Sequence, residues 1–212
     1  MTVLLGTLGF TPKKLLPSVT AHEDVRALVF FHDRHERSRQ AAERVRAFCR
    51  ERGLDVQGIE LDAFDILECA IRMRRKVREF PREEVVFNVT GGTPVVSSAA
   101  LLACILEGVR AVHVDERTGE EVALPLLTLR YGDILNPEQR RVLAIVAAKG
   151  AAGCTQADVL RATGLARATV SHHVKNLKAK RLLRAVPDPK DARREVLTVQ
   201  ESASLLLLEE AP

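Results

Sequence analysis

The stretch FNVTGGTPVVSSAALL, residues 87–102, passes from an apolar run through Thr90-Gly91-Gly92-Thr93 into a helical run of small apolar residues. A strand that breaks on two glycines and restarts as a helix is half of a βαβ unit, so its neighbours decide the fold. TVLLG (2–6), ALVFF (27–31), VQGIEL (56–61), VVFNV (85–89) and AVHV (111–114) are rich in strand formers. Between them, residues 37–52, 64–80 and 94–107 show helical spacing, as in Ala41, Val45 and Phe48. The alternation predicts an α/β domain over residues 1–132, a mostly parallel, doubly wound sheet with crossover helices. VALPLLTLRY (122–131) reads as a sixth, edge strand after the turn Arg117-Thr118-Gly119-Glu120.

In the common 3-2-1-4-5 strand order, the ligand crevice opens outside the carboxyl ends of the first and fourth strands. Both ends are unusual here: the first is Gly6-Thr7-Leu8-Gly9-Phe10-Thr11, the fourth Thr90-Gly91-Gly92-Thr93. Each loop is expected to present unhindered backbone N–H groups beside small hydroxyls. The second leads into a helix beginning near Pro94, whose N-terminus favours an anion, so phosphate is the natural guest. Glycine also serves tight strand-to-helix turns with no ligand, and it is the meeting of two such loops that favours a site. The missing G-K-[ST] excludes a P-loop, and the missing G-x-G-x-x-G excludes an ordinary dinucleotide fingerprint.

Asn136-Pro137-Glu138 reads as an N-cap with proline at the first helical position, and a second domain is expected over residues 133–212. Charge separates the two parts. Residues 1–132 hold 19 Lys/Arg and 19 Asp/Glu, whereas residues 133–200 hold 13 and 6. A cationic excess confined to one domain is the footprint of a nucleic-acid partner.

In residues 155–182 a short helix with Ala157 and Leu160 inward meets Gly164, and a second helix follows with Val170, Val174 and Leu177 on one face. This is helix-turn-helix spacing. Arg167, Thr169, Ser171, His172 and Lys175 fall on the opposite face, where they can reach base edges and phosphates. Leu183 to Val186 and Glu195 to Val199 alternate like paired strands around the loop 187–194, a wing with Lys190, Arg193 and Arg194 at its tip. Lys190 is assigned to phosphate, and the two arginines to the backbone or minor groove. The run resembles the winged helix-turn-helix of MarR- and ArsR-like transcriptional regulators, in the TVSHH stretch and the D-x-R-R-x-x-L-T close of the wing (residues 191–198).

Strand-N-x-TGGT-helix, with a Gly-x-x-Gly-Phe turn after the first strand and a winged helix behind, resembles the CRISPR-associated Rossmann-fold (CARF) transcriptional regulators of archaea. The resemblance implies a homodimer whose sensor domains share a pocket for a cyclic oligoadenylate, above all cyclic tetra-adenylate, and whose winged helices bind double-stranded DNA at CRISPR promoters. The ligand-binding residues it implies are Thr7, Leu8, Gly9, Phe10, Thr11, Asn88, Thr90, Gly91, Gly92 and Thr93. Where the family often has Lys after TGGT this chain has Pro94, which removes a cation and speaks against cleavage of the ring. No catalytic residue, metal or cofactor is assigned. A ring nuclease that degrades the cyclic oligoadenylate is the alternative, as is a MarR-like regulator sensing another ligand or redox state through Cys154.

Further expectations complete the reading. Cys49, Cys69, Cys104 and Cys154 are scattered, which suits reduced, buried thiols. His113 and the His32/His35 pair lack acidic companions in ligand geometry. No apolar run reaches the roughly 18 to 20 residues of a membrane span and no signal peptide opens the chain, so no membrane partner and a cytoplasmic location are expected. The run Ser202 to Leu208 has no evident place in a monomeric winged helix and is expected to be buried by a two-fold dimer. Gly92→Val is expected to block the ligand while leaving the fold intact.

Overall fold

The computed structural model describes residues 1–81, 84–126, 134–188 and 191–207, with the side chains of residues 191–193 outside the description. The chain divides into two compact units, Met1–Arg130 and Tyr131–Pro212.

Six strands build the first unit: β1 (Thr2–Leu8), β2 (Val25–Asp33), β3 (Asp55–Leu61), β4 (Val85–Asn88), β5 (Arg110–Val114) and β6 (Glu121–Ala123). Their order is β3-β2-β1-β4-β5-β6. The first five run parallel and β6 pairs antiparallel with β5. Parallel neighbours need crossovers, and these are α1 (Leu16–Ala21), α2 (Glu36–Arg50), α3 (Ile66–Val77) and α4 (Pro94–Glu107). Strands covered on both faces must be apolar on both, and β4 is buried at every position. On one face Leu4, Leu8, Phe30, Val86 and Val112 join Leu15 and Val19 of the α1 segment and Ala41, Val45 and Cys49 of α2. On alternate positions Phe31 and Phe87 stack with ring centroids 5.9 Å apart.

Helices α3 and α4 pack on each other. Their seam holds a wholly buried ion pair, Arg74 Nε donating to Glu107 Oε1 at 2.7 Å, and the partly exposed Arg78 Nε donates to the same oxygen at 2.8 Å. A buried charge of this kind persists only with a partner, so the pair fixes how the two helices meet.

In the first unit three expectations change. Helix α1, following a 3-10 turn over Pro12–Lys14, escapes the sequence pattern, because six residues that include a proline give too little periodicity. Strand β6 spans Glu121–Ala123 rather than the segment from 122 to 131; Leu124 still donates to Ala111 O at 2.9 Å, and residues 127–133 lie outside the described residues. Strand β1 continues to Leu8, so Gly6, Thr7 and Leu8 belong to the sheet rather than to a loop.

The second unit begins on α5 (Pro137–Ala147), where the Asn136 side chain accepts the Gln139 N–H at 2.8 Å. Helices α6 (Gln156–Thr163) and α7 (Arg167–Ala179) follow, then the hairpin β7 (Leu183–Asp188) and β8 (Asp191–Val199). Thr155 and Asp158 close a reciprocal capping box on α6, and Gly164 ends it. The buried face of α6 is Val159 and Thr163 with Leu160 half-buried; Ala157 is exposed, contrary to the sequence reading. Cys154 pairs with Leu197 through two backbone hydrogen bonds of 3.0 and 2.7 Å, giving the hairpin a short third strand.

The wing strands run further than expected, through Asp188 on one side and from Asp191 on the other. Pro187 pairs with Glu195 and Asp188 with Asp191, so Ala192, Arg193 and Arg194 form a bulge near the tip. The C-terminal run also has a place within the single chain. Glu201–Leu205 forms a 3-10 turn, Ala203 and Leu206 are buried, and the Ser202 hydroxyl donates to Arg181 O at 2.8 Å. It therefore gives no ground by itself for a dimer, and Leu208 lies outside the described residues.

Candidate ligand crevice and nucleic-acid interface

Because β1 and β4 are neighbours, their carboxyl-terminal turns come together. A Cβ built on Gly9 would stand 3.0 Å from Gly92 N, and one on Gly91 would stand 2.1 Å from Thr7 O. Gly91 is thus buried against the end of β1, where only a residue without a side chain fits. Gly92 is exposed at φ +83, the left-handed region, with Val96 Cγ1 3.2 Å from where its Cβ would be. Gly92→Val would force a β-branched residue into that geometry, so the expectation of an intact fold does not survive. Among the described residues the N–H groups of Gly92 and Thr93 are donated to nothing, and both stand at the N-terminus of α4.

The side chains around this turn face inward. Asn88, fully buried, donates to Lys14 O at 2.8 Å and Ser18 Oγ at 2.7 Å, and its oxygen accepts the Thr90 N–H at 2.9 Å. Thr90 Oγ1 accepts the Val114 N–H at 2.7 Å. Thr93 Oγ1 caps α4 by accepting the Val96 N–H at 3.3 Å and donates to Ala63 O at 3.1 Å. Thr11 Oγ1 accepts the Lys13 N–H at 3.3 Å, and Thr7 and Leu8 are buried in the sheet. The hydroxyls expected to face a ligand are therefore committed to the protein. Asn88, Thr7 and Leu8 hold the two turns rather than line the crevice, and Gly91 does the same through its backbone. What remains open is the backbone of Gly9 and Gly92 and the ring of Phe10, 46% exposed.

Strand β2 ends beside β1, in the register Leu8 opposite His32, and brings side chains that the sequence reading misses. The Phe10 ring lies 4.9 Å from the His35 ring and 4.7 Å from the Arg37 guanidinium carbon. His35 caps α2, its Nδ1 accepting the Arg37 N–H at 3.1 Å. Phe64, 80% exposed, follows β3 close to Ala63, the partner of Thr93. Strand order would have pointed to β2, since all parallel strands end on this side, whereas the switch point singles out only β1 and β4.

In the second unit α7 buries Val170, His173, Val174 and Leu177 and exposes Arg167, Ser171, His172 and Lys175, with Thr169 half-buried. His172 Nε2 lies 3.0 Å from Asn176 Nδ2, which makes Nε2 the acceptor and leaves Nδ1 to carry the proton. A groove of about 880 Å³ between α6, α7 and the wing is lined by Gln156, Arg161, Arg167 and Arg194 together with Asp158 and Glu195. The structure thus brings Arg167 of α7 and Arg194 of the wing to one surface. Gln156 and Arg161, absent from the sequence reading, share it. Lys190 and the Arg193 side chain lie outside the described residues.

Burial raises the Cys154 thiol, with the Asp158 carboxylate adding to the rise, so a reactive thiolate is disfavoured there. No group of three or more His, Cys, Asp or Glu suited to a metal occurs among the described residues. No helix among them is long and apolar enough to cross a membrane.

Comparison with known proteins gives a result for each unit. Residues 135–194 match the MarR family. No curated protein matches the chain. Among solved structures, S. aureus MepR in its complex with DNA is 30% identical, over 34% of this chain and 54% of its own, with a TM-score of 0.33. Bordetella bronchiseptica BpsR is 30% identical over 37% and 59%, with a TM-score of 0.34. The PcaV transcriptional regulator from Streptomyces coelicolor is 30% identical over 35% and 51%, with a TM-score of 0.33. The chain spans about half the length of these proteins. Residues 2–125, more than half of the chain, match the Csa3 CRISPR-associated Rossmann-like domain, and the chain belongs to that family.

Proposed function

We propose that the chain is a transcriptional regulator that acts as a homodimer in the cytoplasm, binds double-stranded DNA through α7 and the wing, and is controlled by a cyclic oligoadenylate at the β1/β4 crevice. The observation that carries the reading is the contact of the Gly9 and Gly92 turns at the start of α4, where the Gly92 and Thr93 N–H groups have no acceptor among the described residues. Such groups at a helix N-terminus accommodate a phosphate, and a cyclic oligoadenylate offers one phosphate per nucleotide. Arg167 and Arg194 on one groove, in the half of the chain that holds the cationic excess, support the DNA part.

Titration of the chain with cyclic tri-, tetra- and hexa-adenylate by calorimetry tests the reading, with cyclic tetra-adenylate expected to bind tightest. Mobility shift on the DNA upstream of its own gene should then show an affinity that changes with ligand. By linkage, DNA must change ligand affinity by the same factor, typically about 5- to 150-fold. Absence of binding to all three rings would overturn the ligand assignment. The ligand should be recovered intact; linear products would favour the ring nuclease.

A further inference from the structure

The turn that the ligand reading relies on has no cation of its own. Helix α4 opens on Pro94 and contains neither Lys nor Arg, so backbone N–H groups alone would face several phosphates. Full compensation needs a guanidinium or ammonium from another element. Three arginines follow β2. Arg34 and Arg39 both reach Glu60, at 3.6 and 3.0 Å. Glu36 accepts instead from Gln40 at 3.1 Å. Arg37 is exposed and forms no ion pair with a carboxylate among the described residues; its guanidinium lies over the Phe10 ring.

Phe10 directly follows Gly9, whose backbone abuts Gly92, so the ring and its guanidinium belong to the turn that meets the open N–H groups. The ring keeps nearly half its surface in water, and a solvent-facing aromatic carrying a guanidinium is a platform on which a base stacks. His35 buttresses the same ring and holds the Arg37 backbone through its Nδ1, which fixes where the guanidinium emerges.

We propose that Arg37, held by Phe10 and His35, is a binding residue of the crevice: its planar fork pairs with a phosphate of the cyclic oligoadenylate while an adenine stacks on the Phe10 platform. This rests on the ligand assignment above. The cation that Pro94 denies the site comes from the first turn of α2, the helix that follows the strand next to the switch point. Lys14 is engaged with Glu116, and Lys13, in the same turn, lies over no aromatic ring among the described residues.

Calorimetry with cyclic tetra-adenylate on the full-length chain separates the possibilities. Arg37→Ala should weaken binding about 10- to 100-fold, the loss of one charged hydrogen-bonded contact. Arg37→Lys should recover part of it, because an ammonium lacks the bidentate fork. Phe10→Leu, which keeps an apolar side chain and removes the ring, should also weaken it, whereas Lys13→Ala should stay within about twofold of wild type. Thermal melts should place all four variants close to wild type, since these side chains are exposed. A wild-type chain that binds the ring with Arg37→Ala within about twofold of it would overturn the role of Arg37 and leave the ligand assignment standing. A wild-type chain that binds no ring would overturn both.

Discussion

Gly91 and Gly92 are adjacent in sequence and answer to different constraints. Gly91 lacks room, since a Cβ would stand 2.1 Å from Thr7 O and 3.2 Å from Leu8 Cα, both backbone atoms that cannot swing aside. Gly92 has room on one side and an unfavourable dihedral, at φ +83. Gly91→Ala should therefore cost about 3 kcal/mol or more, and Gly92→Ala about 1 to 2 kcal/mol. Urea titration of the two variants checks the ranking, and a Gly92 variant less stable than the Gly91 variant would mean that the two turns do not meet as described. A second residue runs against its dihedral: Arg181 ends α7 at φ +56. Arg181→Gly should stabilise the chain by about 0.5 to 1 kcal/mol, glycine being the usual residue at this position after a helix, and a fall in melting temperature would contradict it.

At the scale of the element, the α3/α4 layer carries a pH dependence. Burial pushes the Cys104 thiol up to about 12, and burial together with the carboxylates of Glu68, Asp65 and Asp62 pushes Cys69 up to about 11. In the unfolded chain both would ionise near pH 8.5. Above that pH the unfolded state releases protons that the folded state keeps, so stability present at neutral pH is lost progressively as pH climbs toward 11. Urea midpoints at pH 7, 9 and 10.5 should fall, and should fall less in Cys69→Ala/Cys104→Ala; equal slopes would sink the assignment. The wing makes a separate prediction. Its bulge of Ala192, Arg193 and Arg194 lifts these residues out of the ladder. Arg194→Ala should lower DNA affinity for all sequences and reduce the slope of log affinity against log salt by about 0.9. An unchanged slope would remove Arg194 from the phosphate contacts.

Across the whole molecule, the strand order follows from the alternation of apolar runs and helical spacing, because parallel crossovers leave few topologies. The tight turn at Gly91-Gly92 is legible too, but not which glycine takes the positive φ and which the close approach. Side-chain roles are not. Thr90, Thr93 and Asn88 look like ligand groups in sequence, and only the packing shows their hydrogen bonds spent on Val114, Val96, Ala63, Lys14 and Ser18. The Phe10–Arg37 pair is hidden for the opposite reason, since it depends on the ends of β1 and β2 lying side by side. The wing length is misread because Pro187 and Asp188 are turn formers that here sit within the strand β7.

The central position of β1 has a kinetic consequence. Its ladder to β4 joins Val3 to Val85 and Gly6 to Asn88, so the six-stranded sheet closes only after a loop of some eighty residues has been gathered in. The second unit asks for less: its wing is a hairpin, and among the described residues its longest backbone pairing, Cys154 with Leu197, spans about half that separation. Closure entropy grows with loop length and folding slows as contacts become less local. After dilution from urea, amides of α5 to α7 and the wing should become protected from hydrogen exchange before those of β1 and β4, resolved by pulse labelling with mass spectrometry. A single shared time constant would show instead that the chain folds as one cooperative body. If the order holds, a newly made chain has one edge of its first strand, the edge away from β2, unpaired until residues 85–88 have emerged, while the basic unit, made later, is the first to finish once it is released.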